Sequence, residues 1–144
     1  MRLTIMLAII ISAVPLQAAP KHRILTAIPR GMGRSLKNMA TFHDKEAAVE
    51  EWLAFGATMA DAGSTVGVLD RCPGCQEINP LLGHRPSPGR TISIMVPIAL
   101  LHTAQIQWAH EVCDGQKCYG AKQAPAILAI AGHTTAAVLN SEIK

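Results

Sequence analysis

Three long apolar stretches, which together contain a single charged residue, constrain the fold of this 144-residue chain more than any other feature of its sequence. They comprise residues 52–69, 91–110 and 123–141, and the one Asp, Glu, Lys or Arg within them is Asp61. Each contains about 18 to 20 residues, which as a helix is about 27–30 Å long, close to the thickness of a bilayer's hydrocarbon core. The sequence therefore predicts an all-α protein, a three-helix transmembrane bundle with helices at about residues 47–70, 91–111 and 123–141.

The first segment has the order of a secretory signal peptide. A positive start and an apolar run over residues 3–14 are followed by Pro15 and by small residues up to Ala19. The apolar run is shorter than the roughly 20 residues that span a bilayer as a helix. We therefore predict a signal peptide at residues 1–19, with an uncleaved anchor as the alternative. A signal peptide ahead of three spanning helices favours the bacterial inner membrane as the location, with the periplasm as the alternative.

The segment that follows, residues 20–46, is polar and basic. Pro29, Gly31 and Gly33 interrupt any regular element there, so we predict a basic flexible arm ahead of a membrane domain at residues 47–144. The spaced positive charges are typical of a solvated tail, and contact with anionic lipid headgroups is the alternative.

Charge and motifs exclude several function classes. Thirteen Lys and Arg against ten Asp and Glu leave a net charge of +3, and aromatic residues make up 3% of the chain, so we expect no nucleic-acid partner. No nucleotide-binding loop or hydrolase motif occurs in the sequence, and we expect neither an enzyme nor a bound cofactor. The expected partners are the lipid bilayer and a second copy of the chain, because Gly63-x-x-x-Gly67 is a spacing that lets membrane helices approach closely.

Three ionisable residues, whose transfer into a bilayer costs free energy, lie near the midpoints of the three stretches. Asp61 is at the centre of the first stretch, His102 is next to the centre of the second, and His133 is next to the centre of the third. In a bundle of three spanning helices these side chains share one level, and a carboxylate at that depth needs a partner. The main interpretation is a structural cluster of hydrogen bonds; a metal site of these three residues and a proton or ion path are the alternatives.

A two-part motif accompanies Asp61. The sequence Asp61-Ala-Gly-Ser64-Thr65 is followed by Glu77-Ile-Asn79-Pro-Leu, and it resembles a group of small uncharacterised bacterial multi-pass membrane proteins. Those proteins share Asp-x-x-Ser/Thr-Thr inside a helix, then Glu-x-Asn-Pro-Leu just beyond it. The resemblance extends to Asn140 and implies one polar cluster made of Asp61, Ser64, Thr65, Glu77, Asn79, His102, His133 and Asn140. The alternative to a structural role of this cluster is a catalytic pair of carboxylates, Asp61 and Glu77.

The four cysteines form two closely spaced pairs. Cys72-x-x-Cys75 follows the first apolar stretch and Cys113-x4-Cys118 follows the second. A helix of about 30 Å separates the pairs, so two independent disulfides are favoured over one four-cysteine zinc site or a redox pair. The distribution of Lys and Arg favours the opposite membrane orientation to the one that a cleaved signal implies, and both orientations remain open.

These observations favour a small integral membrane protein with a structural or interaction role. A membrane-embedded metal- or proton-handling protein that uses Asp61, His102 and His133 is the first alternative. A secreted soluble helical protein stabilised by disulfides is the second.

Overall fold

The computed structural model describes residues 24–77, 79, 81–113, 118 and 121–142. These residues contain helices and no strand, so the all-α prediction is confirmed. The elements are α1 (Ile24–Thr41), α2 (Lys45–Arg71), α3 (Pro88–Cys113), a short 3-10 helix (Ala121–Gln123) and α4 (Ala124–Glu142). The signal peptide predicted at residues 1–19 lies outside the described residues.

The flexible arm predicted at residues 20–46 is wrong over most of its length, because Ile24–Thr41 forms α1. The two glycines that suggested a break both lie inside this helix. Gly31 is buried against α3, where its Cα approaches Ala104, whereas Gly33 faces solvent. Packing against the neighbouring helices thus outweighs the helix-breaking tendency of glycine, which costs about 1 kcal/mol per residue.

Helix α2 begins where the side chain of Asp44 accepts a hydrogen bond from the backbone N–H of Ala47, at 3.1 Å. This N-cap satisfies one of the free N–H groups at the helix start. At the other end, the backbone N–H of Cys72 bonds to the carbonyl of Val68. The guanidinium of Arg85 then donates to the carbonyls of Leu69 and Pro73, which ties the following loop back onto the helix.

Helix α2 is the central element and packs against both α3 and α4, while α1 lies mainly against α3. Helices α2 and α4 run in the same direction, because Glu46 bonds to Gln123 and Ser64 bonds to Asn140 further along. Helix α3 runs the opposite way. The bundle therefore has a His110 end, where α2 begins and α3 ends, and a Cys72 end, where α2 ends and α3 begins.

Two apolar layers cross the bundle. One contains Ala54, Ile106, Ala126 and Ala129, with Ile130 packed against it, and lies towards the His110 end. The other contains Ala62, Leu82 and Met95 and lies towards the Cys72 end. The polar side chains at the level of Asp61 lie between these two layers.

One helix of the described residues, α3, is long and apolar enough to cross a membrane by the criteria of length and composition. Helices α2 and α4 do not meet the same criterion. In α2, Asp61 and the Gly, Ser and Thr residues around it lower the mean hydropathy of the apolar stretch, and His133 and Asn140 do so in α4.

Candidate functional site: a polar cluster between three helices

A chain of hydrogen bonds joins α2, α4 and α3 halfway along the bundle. The Nδ1 atom of His133 lies 2.8 Å from Oδ2 of Asp61, and its Nε2 atom lies 3.3 Å from Nε2 of His102. The Nδ1 atom of His102 lies 3.4 Å from Oε1 of Gln105, one turn further along α3. The structure thus brings together the three residues that the sequence places near the midpoints of separate stretches.

This chain is largely enclosed but not sealed. The side chain of Asp61 is 14% exposed and that of His133 is 18% exposed. The two imidazole rings meet edge to face, with 5.3 Å between their centroids. Each ring nitrogen of His133 therefore already has a polar neighbour, and the protons on these nitrogens decide which groups donate.

Asn140 extends the cluster towards the Cys72 end. Its amide nitrogen donates to the hydroxyl of Ser64 at 3.1 Å and to that of Thr65 at 3.2 Å. The Ser64 hydroxyl in turn donates to the backbone carbonyl of Asp61. We refer to Asp61, Ser64, Thr65, His102, His133 and Asn140 as the mid-bundle cluster.

Glu77 and Asn79 lie apart from this cluster, contrary to the single constellation that the resemblance implies. The carboxylate of Glu77 accepts from the backbone N–H of Asn79, and the side-chain oxygen of Asn79 accepts from Leu81. The N–H of Glu77 donates to the carbonyl of His84. Both side chains therefore shape the loop between α2 and α3, and no hydrogen bond in the described part of the chain links them to Asp61.

No group of three or more His, Cys, Asp or Glu residues among those described is arranged to hold a metal ion. In the mid-bundle cluster, Asp61 contacts the Nδ1 atom of His133, whereas the facing Nε2 atoms belong to the two histidines. The carboxylate and the two imidazoles thus form a linear series of contacts.

A second polar cluster, which sequence reasoning missed, lies at the His110 end. The buried imidazole of His110 contacts Oδ2 of Asp44 at 3.2 Å and Oε2 of Glu50 at 3.0 Å. Asn38 of α1 donates to Oε2 of Glu51 at 3.2 Å and also to the backbone carbonyl of Asp44. We refer to Asn38, Asp44, Glu50, Glu51 and His110 as the end cluster; it joins α1, α2 and α3.

Glu51 is completely buried in the end cluster. Burial raises the pKa of its carboxyl from 4.5 to about 7, although the hydrogen bond from Asn38 and the nearby hydroxyl of Ser35 partly oppose this. The carboxyl is therefore partly protonated near neutral pH.

Exposed ion pairs surround the end cluster. Hydrogen bonds from Lys122 and Gln123 lower the pKa of Glu46, and the same contact raises the pKa of Lys122. Arg34 of α1 pairs with Glu111 of α3 at 3.2 Å. These contacts attach α1 and the start of α4 to the rest of the bundle.

The four cysteines form two disulfides in the structure, Cys72–Cys75 and Cys113–Cys118. Each bridge closes a short loop within one predicted pair. The two bridges flank α3, one at each end of the bundle.

The chain matches no protein-family model, no curated protein and no solved structure.

Proposed function

We propose that this chain is a small integral membrane protein with a structural or interaction role, in which α2, α3 and α4 cross the bacterial inner membrane. The observation that carries the proposal is the distribution of polar and apolar side chains. Of the six largest completely buried side chains, five are polar: Glu51, Thr58, Thr91, Thr103 and Ser35. Large apolar side chains face outwards instead, including Leu101, Ile127, Leu128, Val138 and Leu139. A bilayer surrounds outward apolar side chains with lipid, whereas in water such a surface is typical of a site that a partner covers.

The positions of the charges support the same arrangement. Every exposed residue within 52–69 of α2, 91–110 of α3 and 124–141 of α4 is uncharged. The exposed charges of these helices lie at their ends, among them Lys45, Asp70, Arg90 and Glu142. Such an uncharged band is what the hydrocarbon core of a membrane requires.

The two tryptophans support one boundary of this band. Trp52 is 49% exposed and Trp108 is 42% exposed, and both lie near the His110 end, beside the apolar layer of Ala54 and Ile106. Tryptophan is enriched where the hydrocarbon core meets the headgroups. The boundary on this side would therefore lie close to the end cluster.

Within this arrangement, the mid-bundle cluster joins the helices. Apolar side chains give little net attraction between helices in lipid, so polar contacts and close packing hold a bundle together. Asp61 reaches α4 through His133, and Asn140 returns the connection to α2 through Ser64 and Thr65. Each such hydrogen bond contributes about 0.6–2 kcal/mol in membrane proteins.

Self-association belongs to the same proposal. Gly56, Ala60 and Gly63 are exposed along one face of α2, and neither glycine has a neighbour that an added Cβ would meet. Small residues at this spacing allow a second helix to approach closely. A second copy of the chain is the partner that we propose for this face.

Carbonate extraction of bacterial membranes that contain the full chain tests the membrane assignment. We expect the wild-type chain to stay in the pellet and Asp61→Ala to accumulate at a lower level, because removing the carboxylate leaves His133 without its partner. Asp70→Ala, at an exposed position of the same helix, is the matched control and should accumulate normally. Release of the wild-type chain by carbonate would contradict the membrane assignment, and normal accumulation of Asp61→Ala would contradict the structural role of the cluster.

A further inference from the structure

We propose that Asp61, His133, His102 and Gln105 form a proton relay, a proton-binding site with two hydrogen-bonded states that differ by one proton. The relay shares side chains with the mid-bundle cluster and so rests on the proposed function only for the assembly of the three helices. Its basis is the linear order of four groups whose facing atoms lie 2.8, 3.3 and 3.4 Å apart. Each facing pair can bond if one atom carries a proton and the other does not.

In the first state Asp61 is ionised, and a carboxylate without a proton can only accept. The Nδ1 atom of His133 must then donate, which leaves its Nε2 atom as an acceptor. His102 donates from Nε2 to that atom, which leaves its own Nδ1 atom as an acceptor. The amide of Gln105 then has to turn over, so that its nitrogen donates to Nδ1 in place of the Oε1 atom that faces Nδ1 in the structure. Both imidazoles are neutral, and every contact in the series is satisfied.

In the second state one proton has been added at Nδ1 of His102. The Nε2–H bond of His102 breaks as an N–H bond forms at Nε2 of His133, and the Nδ1–H bond of His133 breaks as an O–H bond forms on Asp61. His102 then donates from Nδ1 to Oε1 of Gln105, which is the atom that faces it in the structure. Both imidazoles are neutral again, now in their other tautomers. The contacts of His133 with Asp61 and His102 hold in either state, and the contact with Gln105 holds in both if its amide turns over.

The surroundings isolate the relay from other titratable groups. Within residues 52–69 of α2, 91–110 of α3 and 124–141 of α4, the one further titratable side chain is His110. His110 belongs to the end cluster, and the layer of Ala54, Ile106, Ala126 and Ala129 lies between the two clusters. The relay therefore exchanges its proton with solvent at its own partly exposed groups, Nδ1 of His102 and the carboxyl of Asp61, and does not pass it on to the end cluster.

Nuclear magnetic resonance of the full chain, purified in detergent with ¹⁵N-labelled histidine, tests the relay directly. We expect a scalar coupling between the Nε2 atoms of His102 and His133, because these atoms share one hydrogen bond. We also expect both imidazoles to exchange tautomers at a single pH midpoint. Absence of the coupling, or tautomers that change at two separate midpoints, would overturn the proposal.

Asp61→Asn tests whether Asp61 is the group that takes up the proton at the end of the series, because an amide cannot do so. The variant should lose the linked exchange of tautomers, whereas Asp70→Asn should retain it. Linked exchange in Asp61→Asn would refute the assigned end of the relay. If Asp61→Asn does not fold, the coupling together with the shared pH midpoint in the wild-type chain decides the question. Carbonate extraction is independent of tautomers, so failure of the relay leaves the membrane assignment intact.

Discussion

Glu51 shows at the scale of one residue how burial converts a common side chain into a pH-sensitive one. Its carboxyl is completely enclosed between α1 and α2, and its pKa is raised to about 7. In the unfolded chain the same carboxyl titrates near 4.5. Between these two values the folded chain holds a proton that the unfolded chain has lost, so stability falls as the pH rises from about 4.5 to about 7 and then levels off.

Glu51→Gln should remove this loss of stability, because the amide is neutral at every pH and keeps an oxygen for Asn38. We expect the variant to match the wild-type chain near pH 4.5 and to exceed its free energy of unfolding at pH 8 by about 1–3 kcal/mol. Unfolding of the detergent-solubilised chain at both pH values measures the difference.

The matched control is Glu46→Gln, at an exposed position where hydrogen bonds from Lys122 and Gln123 lower the pKa. A carboxyl whose pKa is lowered by folding stabilises the fold at pH values above its pKa in the unfolded chain. This contribution is lost as the pH falls through its pKa in the folded chain. Glu46→Gln should therefore lose a little stability at pH 8, the opposite sign to Glu51→Gln. An unchanged pH profile in Glu51→Gln would show that the carboxyl is solvated.

The same scale shows what the sequence can and cannot predict about the sites. Asp61, His102 and His133 are ionisable residues near the centres of apolar stretches of similar length, so their positions alone place them at one level. The residues of the end cluster give no such signal. Glu50 and Glu51 look like ordinary acidic residues in the first turns of a helix, and His110 is 60 positions from the former. Their contact depends on the angle between α2 and α3, which hydropathy does not encode.

At the scale of the elements, α1 is the main error of the sequence analysis. Helix boundaries for α2, α3 and α4 follow from the long apolar stretches, but α1 has short apolar runs between glycines and basic residues. Its order comes from tertiary contacts: Arg34 with Glu111, Asn38 with Glu51, and Trp52 with the carbonyl of Met39. Contacts across 13 or more positions cannot be found from local propensity.

Gly31 tests the docking of α1 against α3. A Cβ at this position would lie 3.5 Å from Cβ of Ala104, which is ordinary van der Waals contact. Gly31→Ala should therefore be neutral or stabilising by up to about 1 kcal/mol, because alanine is the better helix former. Gly31→Leu should lose roughly 1–3 kcal/mol, because the larger side chain forces the helices apart.

Gly33 is the control for this prediction, since an added Cβ there meets nothing within 4 Å. Gly33→Leu should leave the unfolding temperature unchanged or slightly higher. Equal loss of stability in Gly31→Leu and Gly33→Leu would show that α1 does not depend on its contact with α3. Thermal unfolding of the wild-type chain and the three variants, all solubilised in detergent, provides the comparison.

Asn140 tests the docking of α4 against α2. Asn140→Ala removes the donor that serves both Ser64 and Thr65, and we expect a loss of about 1–2 kcal/mol in the free energy of unfolding. Ser141→Ala is the matched control, because the exposed Ser141 hydroxyl bonds only within its own helix, to the carbonyl of Val138. Denaturant unfolding of both variants measures the difference. A loss of the same size in both would show that the contact of Asn140 with α2 is not the cause.

At the scale of the whole molecule, the two disulfides give the sharpest test of the membrane arrangement. Helix α3 has 26 residues and is therefore about 39 Å long, with Cys72–Cys75 near its start and Cys113–Cys118 at its end. If α3 spans the bilayer, one pair faces the cytoplasm, where thiols are kept reduced, and the other faces an oxidising compartment. In that case only one of the two disulfides persists in the cell.

We expect two of the four cysteines to react when intact cells are quenched with acid and their free thiols are alkylated under denaturing conditions. The mass of the recovered chain gives the number of alkylated cysteines, and Cys72→Ser with Cys75→Ser identifies the pair. Four protected cysteines would place both ends of α3 in one oxidising compartment, as a secreted helical protein requires, and four reactive cysteines would place both in the cytoplasm. Protection of Cys113 and Cys118 alone matches the orientation that a cleaved signal implies, whereas protection of Cys72 and Cys75 alone matches the one that the distribution of Lys and Arg favours.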